Sequence, residues 1–142
     1  VRSVRLALPL FERAGSGSVV VLGSSSVKQP IPNLVLSNVF RPGLQGLVKH
    51  LSEELAGKGV RVNMVSPGRI KTERIDQLDA AEAQREGRSV EQVRADSVSR
   101  IPMGRIGTPE EFGKVVAFVA SPAASYLTGA SVLVDGGMVR AL

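Results

Sequence analysis

A chain of 142 residues, 43% hydrophobic and 22% charged, is long enough for one domain with a buried core and has the balance of a globular fold. It has no cysteine, which excludes disulfides and thiolate chemistry, and neither a bilayer-length apolar run nor a charged–apolar–small leader pattern, so a cytoplasmic protein without a membrane partner is expected. Eighteen Lys+Arg against thirteen Asp+Glu leave +5, but the basic residues are dispersed and only four Phe and one Tyr could stack on bases, so nucleic-acid binding is not expected.

Val4–Arg13 reads as the end of a helix with Leu6, Leu10 and Phe11 on its apolar side, broken by Gly15-Ser16-Gly17. Ser18–Leu22 is a β-branched run predicted to form a strand buried on both faces, and Gly23–Asn33 a polar, proline-bearing loop. Val39, Phe40, Leu44, Leu47, Val48, Leu51 and Leu55 recur at helical spacing, which predicts a long helix ending near Ala56, before Gly57 and Gly59. Pro42 favours a late start for that helix, with Ser37 or Asn38 as its N-cap. His50, the sole histidine, falls among its solvent-facing positions. Val60–Val65 reads as a second strand. Ser66–Arg100 opens with Pro67-Gly68 and predicts one or two short helices. Thr108-Pro109-Glu110-Glu111 combines a cap, a first-turn proline and a capping-box glutamate, for a helix ending near Ser121-Pro122. Ser131–Val134 is the third strand. Strands alternating with helices predict an α/β fold with parallel pairing and right-handed crossovers. No repeat or linker divides it, so residues 1–142 read as a single domain.

The stretch from Ile101 to Gly137, IPMGRIGTPEEFGKVVAFVASPAASYLTGASVLVDGG, together with GVRVNMVSPGRIKT before it, resembles the C-terminal half of classical short-chain dehydrogenases/reductases of the 3-oxoacyl-ACP reductase kind. The resemblance implies the C-terminal half of a doubly wound, Rossmann-type parallel sheet. It implies hydride transfer between NAD or NADP and a small carbonyl or alcohol substrate. The family's glycine-rich phosphate loop belongs to the N-terminal half, which this sequence lacks; Gly15-Ser16-Gly17-Ser18 precedes a strand and cannot be that loop. The isolated chain is therefore expected to bind NAD(P) weakly or not at all. It is expected to need a partner, either further copies or the missing half, because the long helix and the last strand resemble the family's subunit-contact elements.

Counting back from GLQGLVKHLSEELA places Ser37 where the family carries its catalytic tyrosine and Arg41 where it carries its lysine. The four-residue spacing sets both on one face of a helix. A serine hydroxyl is far less acidic than a phenol, whose reference pKa is about 10, and Arg41 can hold a ribose but stays protonated. Ser37 therefore reads first as a cap and second as part of a proton relay. The family's substrate-orienting serine falls on Ser24 or Ser25. Lys28, in Ser25-Ser26-Val27-Lys28, is a candidate acid/base, although it reads first as a solvated surface lysine. Pro67, Gly68, Ile70 and Thr72, in the Pro-Gly-x-x-x-Thr segment, are implied cofactor contacts alongside Arg41, and Glu73–Arg100 the mobile substrate lid. Tyr126 is implied to be structural, and Asp135-Gly136-Gly137 a terminal turn rather than a metal site. The altered helix leaves a second reading open: a non-catalytic binding or assembly protein that kept the fold.

Overall fold

The structure, a computed structural model, describes residues 2–141. In chain order it contains α1 (Arg2–Ala14), β1 (Gly17–Leu22), α2 (Val35–Ala56), β2 (Val60–Pro67), α3 (Glu73–Glu86), α4 (Val90–Ser99), α5 (Pro109–Ala120) and β3 (Ser131–Val134). The strands form one parallel sheet in the order β1-β2-β3, with Gly17 opposite Val60 through Leu22 opposite Val65, and Met64 opposite Ser131 through Pro67 opposite Val134.

β2 is central, and its alternation organises the two layers. Val60, Val62 and Met64 point to one face and form the core with Val48 and Leu55 of α2; all five are at most 1% exposed, with Val4, Leu8 and Phe11 of α1 packed beside them. Arg61 and Asn63 point to the opposite face. Arg61 donates to the carbonyls of Val119, Ala120, Ser121 and Leu127 and to Ser18 Oγ, so one guanidinium caps the C-terminus of α5 and ties it to β1 and β2. Asn63, fully buried, donates to Leu127 O at 2.7 Å and accepts from Ala130 N at 3.0 Å, which sets the chain on course into β3.

Two expectations are corrected. β1 is only half-buried along its length, and Leu22 is exposed, because its outer edge pairs with nothing among the described residues. α2 starts early, at Val35, with Leu34 as an N-cap that makes no side-chain bond; neither Ser37 nor Asn38 caps it. Pro42 lies inside the helix, where it removes the bond to the Asn38 carbonyl. Tertiary bonds to the first turn, described below, hold the helix across that gap. Leu44, Val48, Leu51 and Leu55 face this chain's own sheet, so they are not a free contact surface. The exposed apolar residues of α1 and α2 include Leu6, Leu10, Val35, Leu36, Val39 and Phe40.

The α5 start is as read from sequence: Thr108 Oγ1 accepts from Glu111 N, and the Glu111 carboxylate accepts from Thr108 N at 2.8 Å. Arg105 adds a bidentate pair to the same carboxylate. The Arg105 guanidinium, and then the Thr108 N–H, hold the Glu111 carboxyl down at about 2, below its ordinary 4.5. A depressed carboxyl stabilises the fold fully above its unfolded value and loses that contribution as pH falls through the folded value. Unfolding midpoints should therefore drop between pH 4.5 and about 2, and a Glu111→Gln variant, which keeps the cap but not the charge, should show a smaller drop across that window. Asn63→Ala leaves the Ala130 N–H without its acceptor and the Leu127 carbonyl with only the longer bond from Arg61, and should cost about 1–3 kcal/mol in denaturant unfolding.

Candidate active site

Ligands of open parallel sheets bind beyond the carboxyl ends of the strands. Here the pairing of β1 with β2 carries Ser24 out of the sheet level with Pro67, because Leu22 lies opposite Val65 and Gly23 N still donates to Val65 O at 2.9 Å. Gly23 has to be a glycine: a Cβ there would collide with Ser66 Oγ and Met64 of β2. The chain then turns through a short 3₁₀ segment, Ser25–Val27, capped by Ser24.

The first turn of α2 docks onto this loop by three contacts. The Asn38 side chain pairs with Ile31, accepting from its N–H and donating to its carbonyl, each at 2.9 Å. Ser37 Oγ lies 3.0 Å from Ser26 Oγ, which in turn lies 3.0 Å from Ser24 Oγ. Arg41, one turn on, donates to Leu22 O at 3.0 Å. Ser24, Ser37 and Arg41 are thus brought to one place around the end of β1. Ser25 is buried and acts through its carbonyl, which accepts from Lys28 N and Gln29 N. Lys28 is exposed and makes no side-chain bond among the described residues. Ser26 was not legible as a site residue, since only the 3₁₀ turn determines which hydroxyl of Ser24-Ser25-Ser26 faces inward.

Across the site, Pro67-Gly68 leaves β2 beside β3. Gly68 N donates to Val134 O, and a Cβ at Gly68 would strike Asp135. Ile70 pairs with Gly107, with Lys71 N donating to Gly107 O at 2.8 Å and Gly107 N to Arg69 O at 3.0 Å. Thr72 occupies the N-cap of α3 without a side-chain cap bond, its hydroxyl donating to Ile70 O at 3.3 Å. The segment expected to contact cofactor is therefore rigidly framed.

The region expected to be a lid is the hairpin of α3 and α4, turned by Gly87 at φ 64° and restarted by the Ser89–Gln92 capping box. It is anchored by Asp79, which is fully buried. Asp79 accepts from Arg69 Nη2 and, at 3.0 Å, from Arg94 Nε, while Arg94 also reaches Asp76 at 2.6 Å. Of the remaining named groups, His50 is exposed beside Glu54 at 3.5 Å, and Tyr126 is exposed on a turn toward the amino end of β2, away from Ser24. The Asp135 carboxylate accepts from Gly137 N and Val139 N in the terminal turn, and no cluster of potential metal ligands occurs among the described residues. No described helix is long and apolar enough to cross a membrane.

A family profile described as enoyl-(acyl carrier protein) reductase matches residues 1–139. The chain belongs to the short-chain dehydrogenase/reductase family. It is 34% identical over 135 residues to 3-oxoacyl-[acyl-carrier-protein] reductase FabG of Thermotoga maritima, covering 95% of this chain and 50% of that protein. The crystal structure of YwfH, an NADPH-dependent reductase of bacilysin biosynthesis, superposes with a TM-score of 0.92 at 28% identity, over 99% of this chain and 54% of that one. The NADPH-bound short-chain oxidoreductase of Pseudomonas aeruginosa PAO1, which has an atypical catalytic centre, superposes with a TM-score of 0.83 at 31% identity, over 98% and 52%. The chain spans about half the length of the curated relatives it matches. Among the described residues, no strand pairs with the outer edge of β1.

Removing the Asp79 carboxylate leaves Arg69 and Arg94 without their buried partner. Asp79→Ala should destabilise the fold by about 1–3 kcal/mol, and hydrogen exchange should locate the loosening in residues 69–99.

Proposed function

We propose that this chain is the substrate-facing half of an NAD(P)-dependent oxidoreductase acting on a carbonyl or alcohol. The observation that carries the reading is the convergence of Ser24 and Arg41 on the end of β1, level with the framed Pro67–Thr72 segment. Arg41 makes one hydrogen bond among the described residues, so most of its five donors are available to the hydroxyls of a nicotinamide ribose. Pro67, Gly68, Ile70 and Thr72 offer backbone and hydroxyl groups on the other side. These residues fit the nicotinamide–ribose half of the cofactor. Among the described residues no strand is followed by a glycine-rich turn into a helix N-terminus, so they offer no counterpart to the pyrophosphate half of such a site. Bound in such a site, the nicotinamide supplies or accepts a hydride. Ser24 then orients and polarises the substrate oxygen, and the α3–α4 hairpin shapes the substrate cleft.

Two further features bear on partners. The unpaired edge of β1 and the exposed residues Leu6, Leu10, Val35, Leu36, Val39 and Phe40 support coverage by the remaining half of the fold or by further copies of the chain. A second reading, a binding protein without catalysis, is favoured by the placement of the only tyrosine, Tyr126, away from the site.

Fluorescence titration of NADH and NADPH against the full-length protein, with a panel of ketones for turnover, separates the two. The expected result is cofactor binding that Arg41→Ala weakens about 10- to 100-fold and Arg41→Lys partly restores. Binding without turnover on any carbonyl or alcohol would leave the non-catalytic reading standing, and micromolar binding by residues 1–142 alone would refute the division of the cofactor site.

A further inference from the structure

Ser26 stands outside the residues that the family resemblance marks, yet its hydrogen bonds give the hydroxyl cluster a direction. Its Oγ is 3.0 Å from both Ser24 Oγ and Ser37 Oγ, and its N–H reaches Ser24 Oγ at 3.2 Å. The Ser37 carbonyl, at 3.4 Å, is the longer of the acceptors open to the Ser26 proton. A hydroxyl has one proton and two lone pairs. With the Ser26 proton on Ser24, Ser26 accepts from Ser37. Ser24 Oγ then accepts twice, from the Ser26 N–H and O–H, and both its lone pairs are engaged. What it has left is its own proton, with no acceptor among the described residues.

Burial follows the same order. The middle hydroxyl, Ser26, is 3% exposed, whereas Ser24 and Ser37 at the two ends are half-buried. The chain of hydroxyls thus has one end at the loop beside Pro67 and the other at the outer surface of the first α2 turn.

From this geometry we infer that Ser24, Ser26 and Ser37 form a directed proton relay that substitutes for a phenol. The inference rests on the reductase reading above and specifies how that site handles its proton. As the substrate carbonyl carbon receives the hydride, its C=O π bond breaks and its oxygen becomes an alkoxide. That oxygen takes the proton of Ser24 Oγ. Ser24 takes the proton of Ser26, Ser26 that of Ser37, and Ser37 is refilled from water. One hydride and one proton reach the substrate, and each serine ends as it began. No strong acid is needed, because the alkoxide formed is about as basic as a serine alkoxide. What the chain of hydroxyls provides is a transfer path and hydrogen bonds to the charge while it moves. Ser24 is the catalytic residue here; Ser26 and Ser37 act through it as positioning residues.

The test uses the full-length protein with NADPH and its best ketone, comparing Ser26→Ala, Ser37→Ala, the double variant and Ser37→Thr. Each alanine should lower kcat by about 10- to 100-fold. KM and NADPH affinity by fluorescence should stay near wild type, and the melting temperature should fall by no more than the loss of a docking hydrogen bond explains. Because the two residues are links of one chain, the double variant should be no slower than the worse single variant. Ser37→Thr, which keeps a hydroxyl on a half-buried helix position, should recover most of the loss. Independent losses that multiply in the double variant, or an unaffected kcat in Ser26→Ala, would overturn the relay while the reductase reading stands. A wild-type protein that neither binds NADPH nor turns over any carbonyl would overturn both.

Discussion

The site depends on the docking of one helical turn onto one loop. Asn38 clips Ile31 through both its backbone groups, Ser37 meets Ser26, and Arg41 holds the last carbonyl of β1. Together with Val27, which packs on the core, these three residues fix the loop and the strand end that leads into it. Pro42 sits just beyond and removes one rung of the helix's own ladder. The first turn of α2 therefore owes its geometry to the loop as much as the loop owes its geometry to the helix. The hydroxyl alignment depends on both being in place.

The other wall of the site is built by different means. There the stiffening comes from charge. Asp79 sits without exposure between Arg69, which belongs to the strand-end segment, and Arg94, which belongs to α4. A buried carboxylate flanked by two guanidiniums is weak grounds for stability by itself, since desolvation offsets much of the attraction. Its effect is on register. It joins the α3–α4 hairpin to residues 67–72, so a movement of the hairpin is transmitted to the segment across from Ser24 instead of being absorbed by a loop.

Much of this was legible from residues. Val60–Val65 was read as a strand, the Thr108–Glu111 signature located the start of α5, and the family motifs pointed to Ser24 or Ser25, Ser37, Arg41 and Pro67–Thr72 as site residues. The start of α2 was misread because local rules at Pro42 and Ser37 point to a late, serine-capped helix. The contacts that overrule them, to Ser26 and Ile31, lie eleven and seven residues away in sequence. Asp79 and Ser26 were not legible at all. An aspartate in a charged, alanine-containing helix reads as solvated, and period-2 or period-3.6 patterns do not resolve three consecutive serines in a 3₁₀ turn. β1 was read as fully buried because its composition is that of an interior strand; composition records what a strand is suited to, and the neighbour that would bury it is a separate fact.

That mismatch between composition and surroundings has a consequence for handling the molecule. Ser18–Leu22 is an uncharged, proline-free, β-branched run whose outer edge, apart from the Leu22 carbonyl held by Arg41, pairs with nothing among the described residues. It carries none of the lysines, prolines or bulges by which natural edge strands deter stacking. Such a segment is a template for cross-β association whenever its cover is missing. The fate of the uncovered sheet is then set by a competition in concentration: a correct partner strand buries the edge once, whereas another uncovered copy buries it and presents a fresh edge, so that assembly in the wrong mode propagates and in the right mode stops.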